Sequence, residues 1–234
     1  EPTPIDVTGT VKTEYVYEKQ AGVYETINNY TLDKEFTAKV GTTYTTEKKT
    51  IPGYTYKEVK GATTGKVTED TIKVTYVYTK DPAEIVEKPT VSKNTTVKEI
   101  IESNQSVQYT IDYKTVVTNF DGQVTVTIKD TLEYNAKSVT ASDGWTVDFD
   151  GNKNITFTKV IDVNTYITEN NERTIQESLV YIVTYKEFSA ELDLDNQLTN
   201  KAQGSITMDG KTTTGDESKV DVPLNIKEIL QLNL

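Results

Sequence analysis

The chain has 234 residues, no cysteine or histidine, and 36 acidic against 25 basic side chains, for a net charge of −11. Disulfides, thiolate metal sites and imidazole chemistry are thereby excluded, so any catalysis would run on carboxylates, lysine or tyrosine. An acidic surface of this size repels nucleic acid and anionic lipid, and no apolar run approaches the roughly 20 residues that cross a bilayer.

The length suits one large or two ordinary domains, and Thr, Val, Tyr and Ile dominate the periodic segments, which favours strands throughout. In "GTVKTEYVYEK", Val11, Tyr15 and Tyr17 fall on one face against Lys12, Glu14 and Glu18 on the other. "TIKVTYVYTK" sets Ile72, Val74, Tyr76 and Tyr78 against Lys73, Thr75 and Thr79. Both read as half-buried strands. Between them, Pro52-Gly53 forms a turn leading into another strand, and a short helix is expected around Thr43 to Lys49.

The motifs "YVY" (Tyr15 to Tyr17), "VGTTYTT" (Val40 to Thr46), "IPGY" (Ile51 to Tyr54), Gly65 and "VTYVY" (Val74 to Tyr78) follow in order over residues 9–80. This layout resembles the MucBP (mucin-binding-protein) repeat of Gram-positive surface proteins. The resemblance implies a ubiquitin-like (β-grasp) module over residues 1–80, exported and attached to the cell wall. The insert "AGVYETINNYTLDKEFT" is longer than the turn usual in that family, so the first hairpin is expected to differ.

"DPAEIVEKP" (Asp81 to Pro89) is flanked by prolines and reads as a linker running into the first strand of a second domain, residues 90–224. There "SVQYTIDYKTVV" alternates Val107, Tyr109, Ile111 and Tyr113 against polar residues, and "QVTVTIKDTL" aligns Val124, Val126 and Ile128. "WTVDF" and "NITFTKV" flank the hairpin signal "DGNKN", and "SLVYIVTYKEF" follows. Many short strands separated by turn clusters predict a β-sandwich. The tail, residues 225–234, fits a short helix or a last strand equally well.

Three polar residues break the alternation. Lys93 shares a face with Val91 and Val97, Asp130 with Val124, Val126 and Ile128, and Asn200 with Leu198 and Ala202. Each alone has an ordinary explanation: a snorkelling lysine, a strand-ending Asp, an Asn bonded to loop backbone. Together they carry chemistry. Burial lowers a lysine pKa and raises an aspartate pKa, leaving a nucleophilic amine beside a neutral acid. If Asp130 polarises the Asn200 amide, Lys93 can attack it, expel ammonia and leave an isopeptide bond.

This pattern resembles the isopeptide-forming domains of Gram-positive adhesins and pilins, of the Asp-containing, collagen-adhesin (Cna)-like type. Its carriers are Lys93 in "TVSKN", Asp130 in "IKDTL" and Asn200 in "LTNKA", with "VQYTIDY" following the lysine. Lys88 and Lys98 are rival lysines, Lys88 the stronger. The resemblance implies an immunoglobulin-like sandwich in which Asp130 promotes a single self-crosslinking event rather than enzymatic turnover.

The remaining candidates are weaker. "DFDGNKN" (Asp148 to Asn154) opens like a calcium loop but lacks the later bidentate Glu, so a hairpin turn is expected. "ELDLDNQ" (Glu191 to Gln197) reads as an acidic loop, and tyrosines of the first domain as a carbohydrate-stacking platform or, more simply, strand faces. Asn-X-Ser/Thr triplets start at Asn29, Asn94, Asn104 and Asn154. No metal or cofactor is implied. The expected protein is a monomeric piece of a longer, wall-anchored surface adhesin. It would act as a stalk, or alternatively bind host mucin, glycan or extracellular-matrix protein.

Overall fold

The computed structural model describes residues 7–27, 30, 35–166, 168–169, 171–188 and 197–225. The chain divides into two compact units, Glu1–Pro82 and Ala83–Leu234. Both are built from strands, and no helix among the described residues is long and apolar enough to cross a membrane.

In the first unit, β1 (Thr8–Gln20) and β7 (Ile72–Lys80) lie side by side in parallel, from Val11 opposite Ile72 to Tyr17 opposite Tyr78. Antiparallel strands complete the sheet: β2 (Val23–Thr26) and β3 (Glu35–Lys39) on β1, and β5 (Tyr54–Lys60) on β7. A separate ribbon joins β4 (Thr43–Thr45) to β6 (Thr64–Lys66). The alternation noted in the sequence places Val11, Tyr15, Val74, Tyr76 and Tyr78 in the core, with Tyr15 stacked on Tyr76 at 5.4 Å between ring centroids.

The helix expected around Thr43 to Lys49 is absent. β-Branched threonines favour the strand β4, and tyrosine hydroxyls from the sheet hold the chain after it. Tyr15 donates to the Glu47 carbonyl at 2.9 Å. Tyr78 donates to the Lys49 carbonyl at 2.6 Å and accepts from the Lys49 amide at 3.0 Å. Backbone groups that a helix would have paired internally are satisfied by buried phenols instead.

The second unit is a β-sandwich. One sheet runs β12 (Thr146–Phe149), β13 (Asn154–Asp162), β10 (Gln123–Leu132), β16 (Gln197–Met208), β17 (Lys211–Pro223). The other runs β11 (Ala136–Ala141), β15 (Glu172–Tyr185), β9 (Ser106–Thr118), β8 (Glu84–Thr95), with β14 (Thr168–Glu169) also on β15. All of these pairings are antiparallel. Inward residues of both sheets, among them Tyr109, Ile111, Val126, Ile128, Phe157, Leu179 and Ile206, form one core, as two facing half-apolar sheets require.

Strand β8 begins at Glu84, inside the segment read as a linker running into the first strand, and its pairing with β9 slips between Ile85 and Thr90, around Pro89. From Thr90 the register is regular. There β8 comes close to the opposite sheet, and two glycines permit it. A Cβ on Gly204 would sit 2.8 Å from Val91 Cγ1, and one on Gly215 only 1.6 Å from the Pro89 carbonyl oxygen. The "DGNKN" segment is the β12–β13 hairpin. Asp150 Oδ1 accepts from the backbone amides of Asn152, Lys153 and Asn154, which accounts for its carboxylate without a cation. Most of the acidic stretch 191–197, the residues after 225 and Asn29 lie outside the described residues.

Candidate functional site

Regular pairing of β8 with β9 from Thr90 to Thr95 turns Val91 and Lys93 inward. On β10 the buried alternation Val124, Val126, Ile128 continues through Asp130 to Leu132, and on β16 Leu198, Asn200 and Ala202 are buried. The lysine therefore comes from one sheet and the Asp and Asn from the other. They meet in the core: Lys93 is 4% exposed, Asp130 1% and Asn200 0%. Lys88 and Lys98 are exposed.

A fourth residue joins them. Tyr181 on β15 points inward between Leu179 and Val183, stacked on Tyr109 at 5.4 Å and tilted against Phe157 at 4.8 Å. Lys93 Nζ donates to both Asp130 Oδ2 and the Tyr181 hydroxyl. Tyr181 donates to Asp130 Oδ2 at 2.7 Å and accepts from Asn200 Nδ2 at 3.1 Å. The Lys93 nitrogen sits 4.8 Å from the ring centres of both Tyr109 and Tyr181. Tyr109 and Tyr185 share a buried hydroxyl–hydroxyl bond of 2.8 Å beside the cluster.

Burial dominates the electrostatics. It pushes the Lys93 pKa down, against the opposing pull of the Asp130 carboxyl. It pushes the Asp130 pKa up, against Lys93, Tyr181 and Asn200. Both shifts favour the uncharged forms. Tyr181 is raised well above the usual phenol value by the same desolvation and by Asp130, so its hydroxyl keeps its proton. Two buried oxygens, Asp130 Oδ1 and Asn200 Oδ1, have no hydrogen-bond partner. If Asp130 were ionised, both would be acceptors lacking a donor. A proton on Oδ1 makes it a donor.

Another pair bridges the sheets under different conditions. Lys159 Nζ lies 2.6 Å from Glu177 Oε2, and the Tyr166 hydroxyl donates to Glu177 Oε1 at 2.5 Å. These side chains keep 28% and 14% of their exposure, where those of Lys93 and Asp130 keep none. Water reaches this pair, which therefore reads as an ordinary ion pair. Arg173 is also buried, donating to the Phe120 carbonyl at 2.7 Å and to Asp121 at 2.6 Å, and fastens the β9–β10 turn. No group of three or more acidic side chains among the described residues is placed to hold a metal ion.

The sequence pattern contained Lys93, Asp130 and Asn200, and the fold brings them together. Tyr181 was missed. Its signal was a hydroxyl on the apolar face of "SLVYIVTY", which a dry core obliges to find a partner.

Residues 10–79, within the N-terminal unit, match the model of the MucBP domain. No curated protein matches the chain. Among solved structures, the full-length major pilin SpaD from Corynebacterium diphtheriae is 14% identical, over 92% of this chain and 65% of that one, with a TM-score of 0.36. The chain thus spans just under two thirds of that pilin's length. BcpA, the major pilin subunit of Bacillus cereus, is 15% identical over 93% of this chain and 69% of its own, with a TM-score of 0.34. The collagen-binding subdomain of the Enterococcus faecalis surface protein ACE is 11% identical over 56% and 94%, with a TM-score of 0.32.

Proposed function

We propose that the second unit is a self-crosslinking, Cna-type sandwich in which Lys93 and Asn200 become joined by an isopeptide bond. The observation that carries this reading is a fully buried lysine held against a fully buried Asp, with the Asn amide bonded to the same tyrosine. In the uncharged pair the Lys93 amine is a nucleophile and Asp130 an acid. Asp130 donates a proton toward the Asn200 carbonyl, the amine adds to Cγ, and the tetrahedral species collapses with loss of Nδ2 as ammonia. The Asp proton returns as the carbonyl re-forms. Packing these groups together supplies the effective molarity that amide exchange needs. The domain acts on itself once.

The benefit is mechanical and thermodynamic. The bond ties β8, the first strand of the unit, to β16 near its end. It closes a loop of about 100 residues, worth ~4–5 kcal/mol in the chain-entropy description of a crosslink. A chain without cysteine has no disulfide to serve this purpose. With the MucBP match beside it, this supports a cell-wall-attached surface adhesin fragment acting as a hardened stalk and adhesion module. The parallel β1–β7 pair flanked by antiparallel strands supports a β-grasp reading of the first unit.

The test is intact mass. The parent should be lighter than its formula by one ammonia, and Asn200→Ala should show no deficit; a parent of full mass removes the bond.

A second reading, mucin, glycan or matrix binding through the first unit, is supported by the MucBP match and by a cleft there. Exposed Phe36 stands in it near Tyr15, Tyr44 and Lys49. Full chain retained on immobilised mucin, and released by Phe36→Asp, would favour it.

A further inference from the structure

Crosslinking requires one net proton transfer from the nucleophile to the leaving group. The amine and the amide nitrogen begin with two protons each; the products are an isopeptide N–H and ammonia. One proton must therefore leave Lys93 Nζ and reach Asn200 Nδ2.

The Tyr181 hydroxyl is bonded to both atoms. It accepts from Lys93 Nζ and, at 3.1 Å, from Asn200 Nδ2. Its own proton points to Asp130 Oδ2 at 2.7 Å, and Asp130 in turn accepts from Lys93 Nζ. Stacking on Tyr109 and tilted packing against Phe157 fix the ring, so the oxygen is held between nucleophile and leaving group before reaction.

The geometry points to Tyr181 as a further catalytic residue, whose hydroxyl relays the proton from Lys93 Nζ to Asn200 Nδ2. This rests on the crosslinking reading above. After the amine adds to Cγ, Nζ is cationic and the lone pair of Nδ2, no longer delocalised into the carbonyl, is basic. The Tyr181 oxygen takes a proton from Nζ while its own hydrogen swings to Nδ2. The Cγ–Nδ2 bond then breaks and ammonia departs. Tyr181 ends as a neutral phenol and Asp130 as an acid, so neither is consumed and no other reactant is needed. A hydroxyl that keeps its proton suits a relay that gives up one proton as it takes another.

The test uses full-length chain recovered unfolded from inclusion bodies, diluted into H2O or D2O buffer. Folding is followed by fluorescence of the single tryptophan, Trp145, and ammonia loss by intact mass once folding is complete. Tyr181→Phe keeps the ring and removes only the hydroxyl. The expected result is a folded variant that crosslinks on the order of 100-fold more slowly than the parent. The parent should also be slower in D2O, and the variant should lose most of that solvent dependence. A variant that matches the parent's rate overturns the relay, with the proton passing through Asp130 alone. So does a slower variant with an unchanged D2O ratio, since misplacement of Lys93 would slow both solvents alike. If the variant does not fold, 3-fluorotyrosine at position 181, which keeps the hydroxyl and makes it more acidic, decides: a changed rate and D2O ratio support the relay, and parent-like rates in both solvents overturn it. A parent that folds and never loses ammonia overturns the crosslink itself, and the relay with it.

Discussion

Asp130 faces Ala202 across the β10–β16 pairing and so stands one diagonal step from Asn200, both on the core face. Diagonal neighbours on antiparallel strands are within reach of each other's side chains. Acid and electrophile are therefore set by register within one sheet, while the nucleophile arrives from the other. Asp130→Ala should keep the sandwich and abolish the bond, giving a chain of full formula mass. It also takes one of the two partners from the buried Lys93 amine, so the unfolding free energy should fall by about 1–3 kcal/mol beyond the loss of the crosslink. Denaturant melts of this variant against Asn200→Ala separate the two contributions.

Asn200→Ala should fold but unfold more easily than the parent, by roughly 4–5 kcal/mol if the chain-entropy description holds. The midpoint in guanidinium should drop, and protease should cut the sandwich at concentrations the parent survives. Equal midpoints for the two proteins would mean that no covalent constraint is present.

The rate of bond formation should be bell-shaped in pH. Lys93 has a pKa lowered by burial, and below it the ammonium cannot attack, so the rate falls on the acid side. Asp130 has a pKa raised by burial, and above it the carboxylate has no proton to give, so the rate falls on the alkaline side. Refolding at a series of pH values with mass readout checks both limbs. A rate climbing steadily into the alkaline range would remove the acid role of Asp130.

In the first unit, Tyr78→Phe deletes the hydroxyl that both donates to the Lys49 carbonyl and accepts from the Lys49 amide. Stability of that unit should fall by about 1–3 kcal/mol, the cost of buried backbone groups losing their partner. Hydrogen exchange at the Lys49 amide should accelerate far more than at Val74, which lies in the sheet centre.

Much of this site was legible because a strand is a two-sided object. Lys93, Asp130 and Asn200 stood out as polar residues inside apolar alternations, and each proved buried. Tyr181 gave no such contrast, since tyrosine is common on inward strand faces, as Tyr109, Tyr113 and Tyr185 show in this core. Its part follows from which strand of one sheet faces which strand of the other, a long-range relation that no local period encodes. The Lys159–Glu177 pair was hidden for the same reason. Around Thr43 to Lys49 the failure was of another kind: the "EKK" end suits a helix by composition, but Tyr15 and Tyr78, from strands about 30 residues away along the chain, claim its backbone.

Peptide mapping bears most directly on the central claim. Digestion of the parent should release a branched species joining the peptide that contains Lys93 to the one that contains Asn200, and its fragment ions should place the bond between those two side chains. Recovery of both peptides separately, unlinked and in full yield, would contradict it.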